Sequence, residues 1–299
     1  YSAIDAYHMT TCTIDEAVRR LIAVGGDPSH IGGVDNFCWP SIQYDPMENP
    51  DGKFKAAQLV RSCRALKDMC MAYEIPLLSG KDSMYVDGHL TGRYGESHKV
   101  SALETLQFSA TSLVANVGGC VSMDLKMPGD LVYVLGLTRD ELGASEYYEH
   151  LGYIGTRVPR VDAAASMKLY NALHRAIRDG LVASAHGIYR GGLGVHLAMT
   201  ALGGGLGLDA DLSAVPFEGT RRDDSLLFSE SAGRFIVSID PKRQEAFEAL
   251  MDGVPFGKIG KVTESDSALK IRGEADAPLV DLPISALKEA WMAPMGELI

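Results

Sequence analysis

Cysteine is scarce. Cys12, Cys38, Cys63, Cys70 and Cys120 are the five in 299 residues, an odd number with no C-x-x-C pair. That spacing excludes a disulfide framework and the usual zinc-binding patterns, and it fits a reduced, cytoplasmic compartment. No run of 18 or more apolar residues occurs, and neither a signal peptide nor a membrane partner is expected. Positive charge is in deficit: the formal net charge is -11. Nucleic acid and anionic membranes are therefore excluded as main partners, although a phosphate site needs only a few local donors. The phosphate loop G-x-x-x-x-G-K-[ST] is absent, as are short internal repeats and low-complexity linkers. There is no initiator methionine either; the chain opens on Tyr1 and reads as a fragment of a longer one.

Hydrophobic residues make up 46 % of the chain and charged residues 22 %, enough apolar material for a sizeable core. Apolar residues at Ile14, Ala17, Val18, Leu21 and Ile22 have helical spacing, and Gly25-Gly26-Asp27-Pro28 stops that helix. Strands are expected at 31–37, 75–80, 106–117, 131–137, 181–186 and 234–239. Helices are expected at 54–73, 163–179, 191–202 and 243–251. The segments 256–262 and 268–271 read as a closing hairpin, Gly203 to Gly205 as a flexible connection, and Asp223-Asp224 as a solvated loop. The turn Met127-Pro128-Gly129-Asp130 marks a domain boundary. The expected architecture is α+β with two domains, 1–126 and 127–299, the second an α/β unit.

Three constellations carry chemistry. Asp35 and Asn36 stand at the end of a strand and offer oxygen ligands to magnesium or a nucleotide, or else cap the following loop. In Ser79-Gly80-Lys81-Asp82-Ser83, Gly80 permits close approach of a ligand, Lys81 is a point charge for a phosphate, and Asp82 and Ser83 add a carboxylate and a hydroxyl. The bland account is a polar turn. His186 ends a strand, and Gly191-Gly192 opens a helix whose first N–H groups make an anion site, unless the glycines serve only packing. The turn Ser229-Glu230-Ser231 before Arg234 also asks for a reason. His8, His30, His98, His150 and His174 share no metal-like spacing.

Taken in order, these segments resemble the phosphoribosylformylglycinamidine synthases, specifically their C-terminal half, within the superfamily that includes aminoimidazole ribonucleotide synthetase. The residues that carry the resemblance are Ile14 to Gly26, Val34-Asp35-Asn36-Phe37, Ser79 to Met84, Leu227 to Arg234 and Gly257 to Val262. The resemblance implies an ATP- and Mg²⁺-dependent ligase that converts formylglycinamide ribonucleotide to the amidine with glutamine-derived ammonia. It implies nucleotide contacts at Asp35, Gly80, Lys81, Ser83 and His186, and metal ligation at Asn36 and Asp82; no catalytic residue is assigned. It implies an N-terminal domain that pairs with an equivalent domain into a shared β-barrel. Expected partners are the N-terminal half of the same enzyme, a fused or separate glutaminase, and, for the fragment alone, a second copy covering an apolar sheet face.

The chain departs from the family at His186 to Leu193. Where relatives read His-Asp-x-Ser-Asp-Gly-Gly-Leu, this sequence has Gly187, Tyr189 and Arg190. The exchange raises local charge by about three units, which disfavours Mg²⁺ and favours a bare phosphate. A degenerate, supporting half is thus expected. A purely scaffolding or nucleotide-sensing half is one alternative; another ATP-dependent member of the superfamily is a second.

Overall fold

The computed structural model describes residues 1–265 and 268–295. Helix α1 (Ala6–Ala23) begins two turns before the apolar stripe. Asp5 caps it by accepting the N–H groups of Tyr7 and His8 at 2.8 and 3.1 Å. Strand β1 (Ile31–Cys38) follows, then α2 (Gly52–Ala72) and β2 (Leu77–Ser83). A hairpin not expected from the sequence, β3 (Asp87–Thr91) with β4 (Ser97–Ser101), precedes β5 (Thr105–Ser112). Strands β1, β2 and β5 make a sheet of order β2-β1-β5, with β2 parallel and β5 antiparallel to β1.

On β5, Leu106 and Phe108 are buried, whereas Thr105, Gln107, Ser109 and Thr111 are exposed. Side chains alternate between the faces of a strand, so β5 turns a polar row outward. The open face expected to be apolar is polar along β5, and exposed hydrophobic residues such as Leu77, Leu78 and Leu103 lie at the margins of the sheet.

The remaining elements are β6 (Leu131–Leu135), β7 (Thr138–Arg139), α3 (Glu146–His150), α4 (Ala163–Arg178), β8 (Ser184–Gly187), α5 (Gly192–Gly204), β9 (Leu206–Asp211) and β10 (Phe217–Glu218). They are followed by α6 (Asp223–Phe228), β11 (Phe235–Ile239), α7 (Gln244–Leu250), β12 (Phe256–Ser265), β13 (Ala268–Arg272), β14 (Pro278–Pro283) and α8 (Ile284–Met292). Seven strands form one mixed sheet of order β14-β13-β9-β12-β6-β11-β8.

Three expectations are corrected. The segments 256–262 and 268–271 do not form a hairpin: β9 lies between them, antiparallel to β12 and parallel to β13. Gly203 to Gly205 is no flexible connection but the end of α5, leading straight into β9. Asp223 and Asp224 begin α6, where their negative charge favours the helix N-terminus.

Helices cover both faces of the large sheet. On one, α5 supplies Leu193, Leu197 and Ala201 against Val132, Val134 and Ile236. On the other, Leu169, Leu173 and Ile177 of α4 lie in one core with Phe235 and Val237 and with Ile14, Val18 and Ile22 of α1. A single apolar core therefore runs across the 126/127 boundary, and α1 and α4 tie the small sheet to the large one.

Candidate functional site

The sequence placed Asp35-Asn36 and Gly80 to Ser83 more than forty residues apart; the fold sets them side by side. In the β1–β2 register Asp35 faces Gly80, Asn36 faces Lys81, Phe37 faces Asp82, and Cys38 faces Ser83. Gly80 is required by closeness. A Cβ there would stand 2.9 Å from Asp35 Oδ1 and 3.2 Å from Oδ2. Burial raises the pKa of Asp35, and the neighbouring charge of Asp82 raises it further. Both carboxylates face α2: burial lifts the Cys63 thiol, with Asp82 and Asp35 adding to the shift, and burial with Asp35 moves Cys70 to about 11.

Alternation turns the other residues to the open face. There Lys81 Nζ donates to Ser83 Oγ at 2.6 Å, and Asn36 Nδ2 donates to Gln107 Oε1 at 3.2 Å. The two metal ligands expected from the sequence are thus split, with Asn36 on the open face and Asp82 on the helix face with Asp35. Among the described residues no group of three or more His, Cys, Asp or Glu is arranged to hold a metal ion. Two carboxylates on one face still suit magnesium, which takes few protein ligands when substrate phosphates complete its shell.

The third constellation is closed by its own side chains. The Tyr189 ring lies over Gly187 so closely that a Cβ at Gly187 would come within 2.3 Å of ring Cζ. Any larger residue there would displace the ring. The guanidinium carbons of Arg20 and Arg19 stand 4.6 and 5.0 Å from the ring centroid. Arg190 ion-pairs with Glu146 at 2.7 Å and Glu149 at 3.6 Å. The Gly191 N–H, at the start of α5, donates to Glu230 Oε1 at 2.8 Å. The cation and the helix N–H expected to meet a bare phosphate are therefore both held by protein carboxylates, and that expectation is corrected.

His186 sits beside a histidine that sequence reasoning missed. His196 lies on α5 with its Nδ1 2.9 Å from His186 Nε2 and its Nε2 3.1 Å from the Arg190 carbonyl. A neutral His196 that donates from Nε2 to that carbonyl accepts at Nδ1, so His186 donates from Nε2. Burial moves His186 down to about 4, helped by Arg20, and moves His196 down to about 3, helped by His186. Both rings are neutral at pH 7.

Asp15, also missed, is the polar hub of the shared core. It is fully buried and accepts from Tyr73 at 2.6 Å, from Tyr170, and from the Gly233 N–H at 3.3 Å, and it pairs with Arg19 at 2.7 Å. The Ser229 to Arg234 turn serves the same interior. Arg234 is fully buried and donates to the carbonyls of Ser231 and Ser229 and to Thr138 Oγ1, while burial lowers its pKa to about 9.

Residues 127–271 match the family described as AIR synthase related protein, C-terminal domain. The whole chain aligns with the phosphoribosylformylglycinamidine synthase subunit PurL of Methanocaldococcus jannaschii at 32 % identity, and with that of Thermosynechococcus vestitus at 30 %. It spans 39 % of the length of each of these relatives. Among solved structures, PurL of T. maritima complexed with FGAR superposes with a TM-score of 0.70 at 17 % identity, over 96 % of this chain and 44 % of that one. HypE in the HypE–HypF complex superposes with a TM-score of 0.65 at 14 % identity, over 92 % of this chain and 84 % of that one. At such identities the superpositions speak for the fold alone; by sequence, residues 127–271 are similar to the AIR synthase-related C-terminal domain and the whole chain is similar to a part of these synthase subunits.

Proposed function

We propose that this chain is the C-terminal part of an ATP-dependent phosphoribosylformylglycinamidine synthase. The amide oxygen of formylglycinamide ribonucleotide attacks the γ-phosphorus of ATP, releasing ADP. Ammonia then displaces the phosphate to leave the amidine. The observation that carries this reading is the convergence of Asp35 and Gly80 on adjacent strands, in a chain whose entire length aligns with such synthases.

Asp35 lies against the nucleotide, and Gly80 leaves room for its carboxylate. Asp35 and Asp82 would hold Mg²⁺, which neutralises phosphate charge when bound. Lys81 and Ser83, linked on the open face, meet anionic oxygens of nucleotide or substrate. His186 is a neutral wall of the nucleotide site. The N-terminal half of the enzyme covers the open face of the small sheet, where β2 is an edge strand among the described residues, and completes a barrel. Without that half a second copy takes its place. A glutaminase, fused or separate, supplies ammonia. All five cysteines are free, in keeping with a cytoplasmic enzyme. No helix among the described residues is long and apolar enough to cross a membrane.

Closure of the His186 to Leu193 turn by Tyr189, Arg20 and Glu230 favours a supporting role for this half over independent catalysis. The test is twofold. Mg·ATP is titrated calorimetrically into the chain and into Asp35→Ala and Ser83→Ala. ADP release is then followed with formylglycinamide ribonucleotide and ammonium, with and without the N-terminal half. Binding that Asp35→Ala abolishes, and turnover only when both halves are present, are expected. Wild-type-like binding by Asp35→Ala would overturn the assignment of the site. Absence of substrate-dependent turnover with both halves present would overturn the activity.

A further inference from the structure

The alternation of β1 and β2 sorts charge as well as bulk. Asp35 and Asp82 go to the helix face, where two carboxylates suit a cation. The open face receives Lys81, and none of its residues on β1, β2 or β5 is acidic. In a chain of net charge -11 this is a local reversal of sign. The same strands therefore offer a cation site on one side and an anion site on the other.

Two rungs build the anion side. Lys81, Asn36 and Gln107 stand in register across the three strands, followed by Ser83, Cys38 and Thr105. Neighbouring strands are about 4.8 Å apart, so adjacent members of a rung can grip one small anion.

Internal bonds decide what the rungs expose. Lys81 Nζ gives one N–H to Ser83 Oγ at 2.6 Å and keeps its others. Asn36 Nδ2 donates to Gln107 Oε1 at 3.2 Å, which takes up the Gln107 oxygen. The Gln107 Nε2 group has no partner among the described residues, and Asn36 Oδ1 is buried. The face thus turns donors outward. Donors around one ammonium, without a carboxylate, fit a phosphate that carries no metal. Beside them, between β5 and α1, a cleft of about 720 Å³ reaches Gln107 and Thr105 and leaves room for the rest of a ligand. The one acidic side chain in its wall among the described residues, Glu16, is taken up by Arg20 at 2.6 Å.

We infer that the open face holds the phosphate monoester of the substrate ribonucleotide, at Lys81, Ser83 and Gln107, while the metal-bound nucleotide keeps to the side of Asp35 and Asp82. Gln107, which belongs to none of the sequence motifs, is then a specificity-determining residue: its amide donates where a carboxylate of the same shape would repel. This rests on the reading proposed above and divides its two phosphate-bearing ligands between the two faces.

The probes are ribose 5-phosphate in EDTA and Mg·ADP, each titrated calorimetrically into the chain at low chloride. Ribose 5-phosphate is expected to saturate below about 10 mM without metal. Gln107→Glu, at an exposed position, should weaken it by about tenfold or more and leave thermal stability and Mg·ADP binding in place. Gln107→Ala removes the donor without adding charge and should cost about threefold. Asp35→Ala should do the reverse, abolishing Mg·ADP binding and sparing ribose 5-phosphate. Ribose 5-phosphate binding that Gln107→Glu leaves unchanged, or no such binding while Mg·ADP still binds, would overturn the inference alone. Equal weakening of both probes by Asp35→Ala would overturn the division between the faces. Failure of Mg·ADP to bind the unsubstituted chain would overturn the underlying reading, and the inference with it.

Discussion

Glu230 Oε1 accepts two backbone N–H groups at once, that of Gly191 at 2.8 Å and that of Glu146 at 2.9 Å, while the Tyr1 hydroxyl donates to Oε2. One buried carboxylate thus joins the start of α5, the start of α3 and the first residue of the chain. It occupies the place at a helix N-terminus where a bound anion is otherwise favoured. Glu230→Ala strands these donors in the interior and should lower unfolding stability by about 2–4 kcal/mol. Glu230→Gln keeps an acceptor oxygen and should lose less. Urea unfolding of both variants checks the order; equal losses would mean that packing, not hydrogen bonding, holds the joint.

Asp15 makes a larger claim on the fold. Its neighbours Tyr73, Tyr170 and Gly233 come from three separate segments, and its ion pair with Arg19 is buried on both sides. Asp15→Ala leaves the Arg19 charge without its carboxylate partner, and the expected loss is about 3–5 kcal/mol. Tyr73→Phe removes one hydrogen bond and no charge, for a loss of about 1 kcal/mol. Chemical denaturation of the two variants separates these cases. Near-equal values would show that Arg19 finds compensation elsewhere.

The contrast between Asp15 and Gly80 shows what was legible in the sequence. Gly80 to Ser83 and Asp35-Asn36 announced themselves as motifs, and only their adjacency needed the fold. Asp15 did not, because a polar residue beside an apolar stripe reads as a surface position. Its spacing held a signal nonetheless: Asp15, Val18, Arg19 and Ile22 recur at i, i+3, i+4 and i+7, on the buried face of α1. Helices and strands were readable from their periods, but strand partners were not. Nothing in the alternation of β12 and β13 tells that β9 separates them, since period two fixes which face a residue takes and not which strand it meets. His196 was silent for a similar reason, being one polar residue in a mostly apolar helix whose partner, His186, lies on another element.

The close approach of Gly80 to Asp35 yields a sharp test of the proposed nucleotide site. Gly80 lies on an exposed edge strand and has no positive φ, so alanine fits the backbone there. Its Cβ, however, would crowd Asp35 Oδ1 at 2.9 Å and push the carboxylate away. Gly80→Ala should therefore change thermal stability by less than about 1 kcal/mol. It should lower kcat/KM for ATP in the two-half enzyme by on the order of ten- to a hundredfold, the cost of a misplaced ligand group. A variant that keeps full activity would remove Asp35 from the nucleotide site.

The His186–His196 pair makes stability depend on pH in a definite direction. Their folded pKa values of about 4 and about 3 lie below the ordinary histidine value of 6.5. As pH falls below about 6.5, the unfolded chain takes up two protons that the folded pair refuses, so the unfolded state is favoured. The stabilisation is complete above that pH and is lost as pH falls towards the folded values. Burial lowers the pKa of His8 too, which adds a contribution of the same sign. Between about pH 6.5 and 5, before carboxylates protonate, each refused proton contributes up to about 1.4 kcal/mol per pH unit. Replacing His196 with Gln removes one titrating group and relieves His186 of its neighbour, so the slope of unfolding free energy against pH should fall by about one proton in this window. Imidazole NMR of the folded chain should show both rings neutral at pH 5.5, with the His196 proton on Nε2. A titration midpoint near 6.5 for either ring would place it in solvent and break the link between Arg190, His196 and His186.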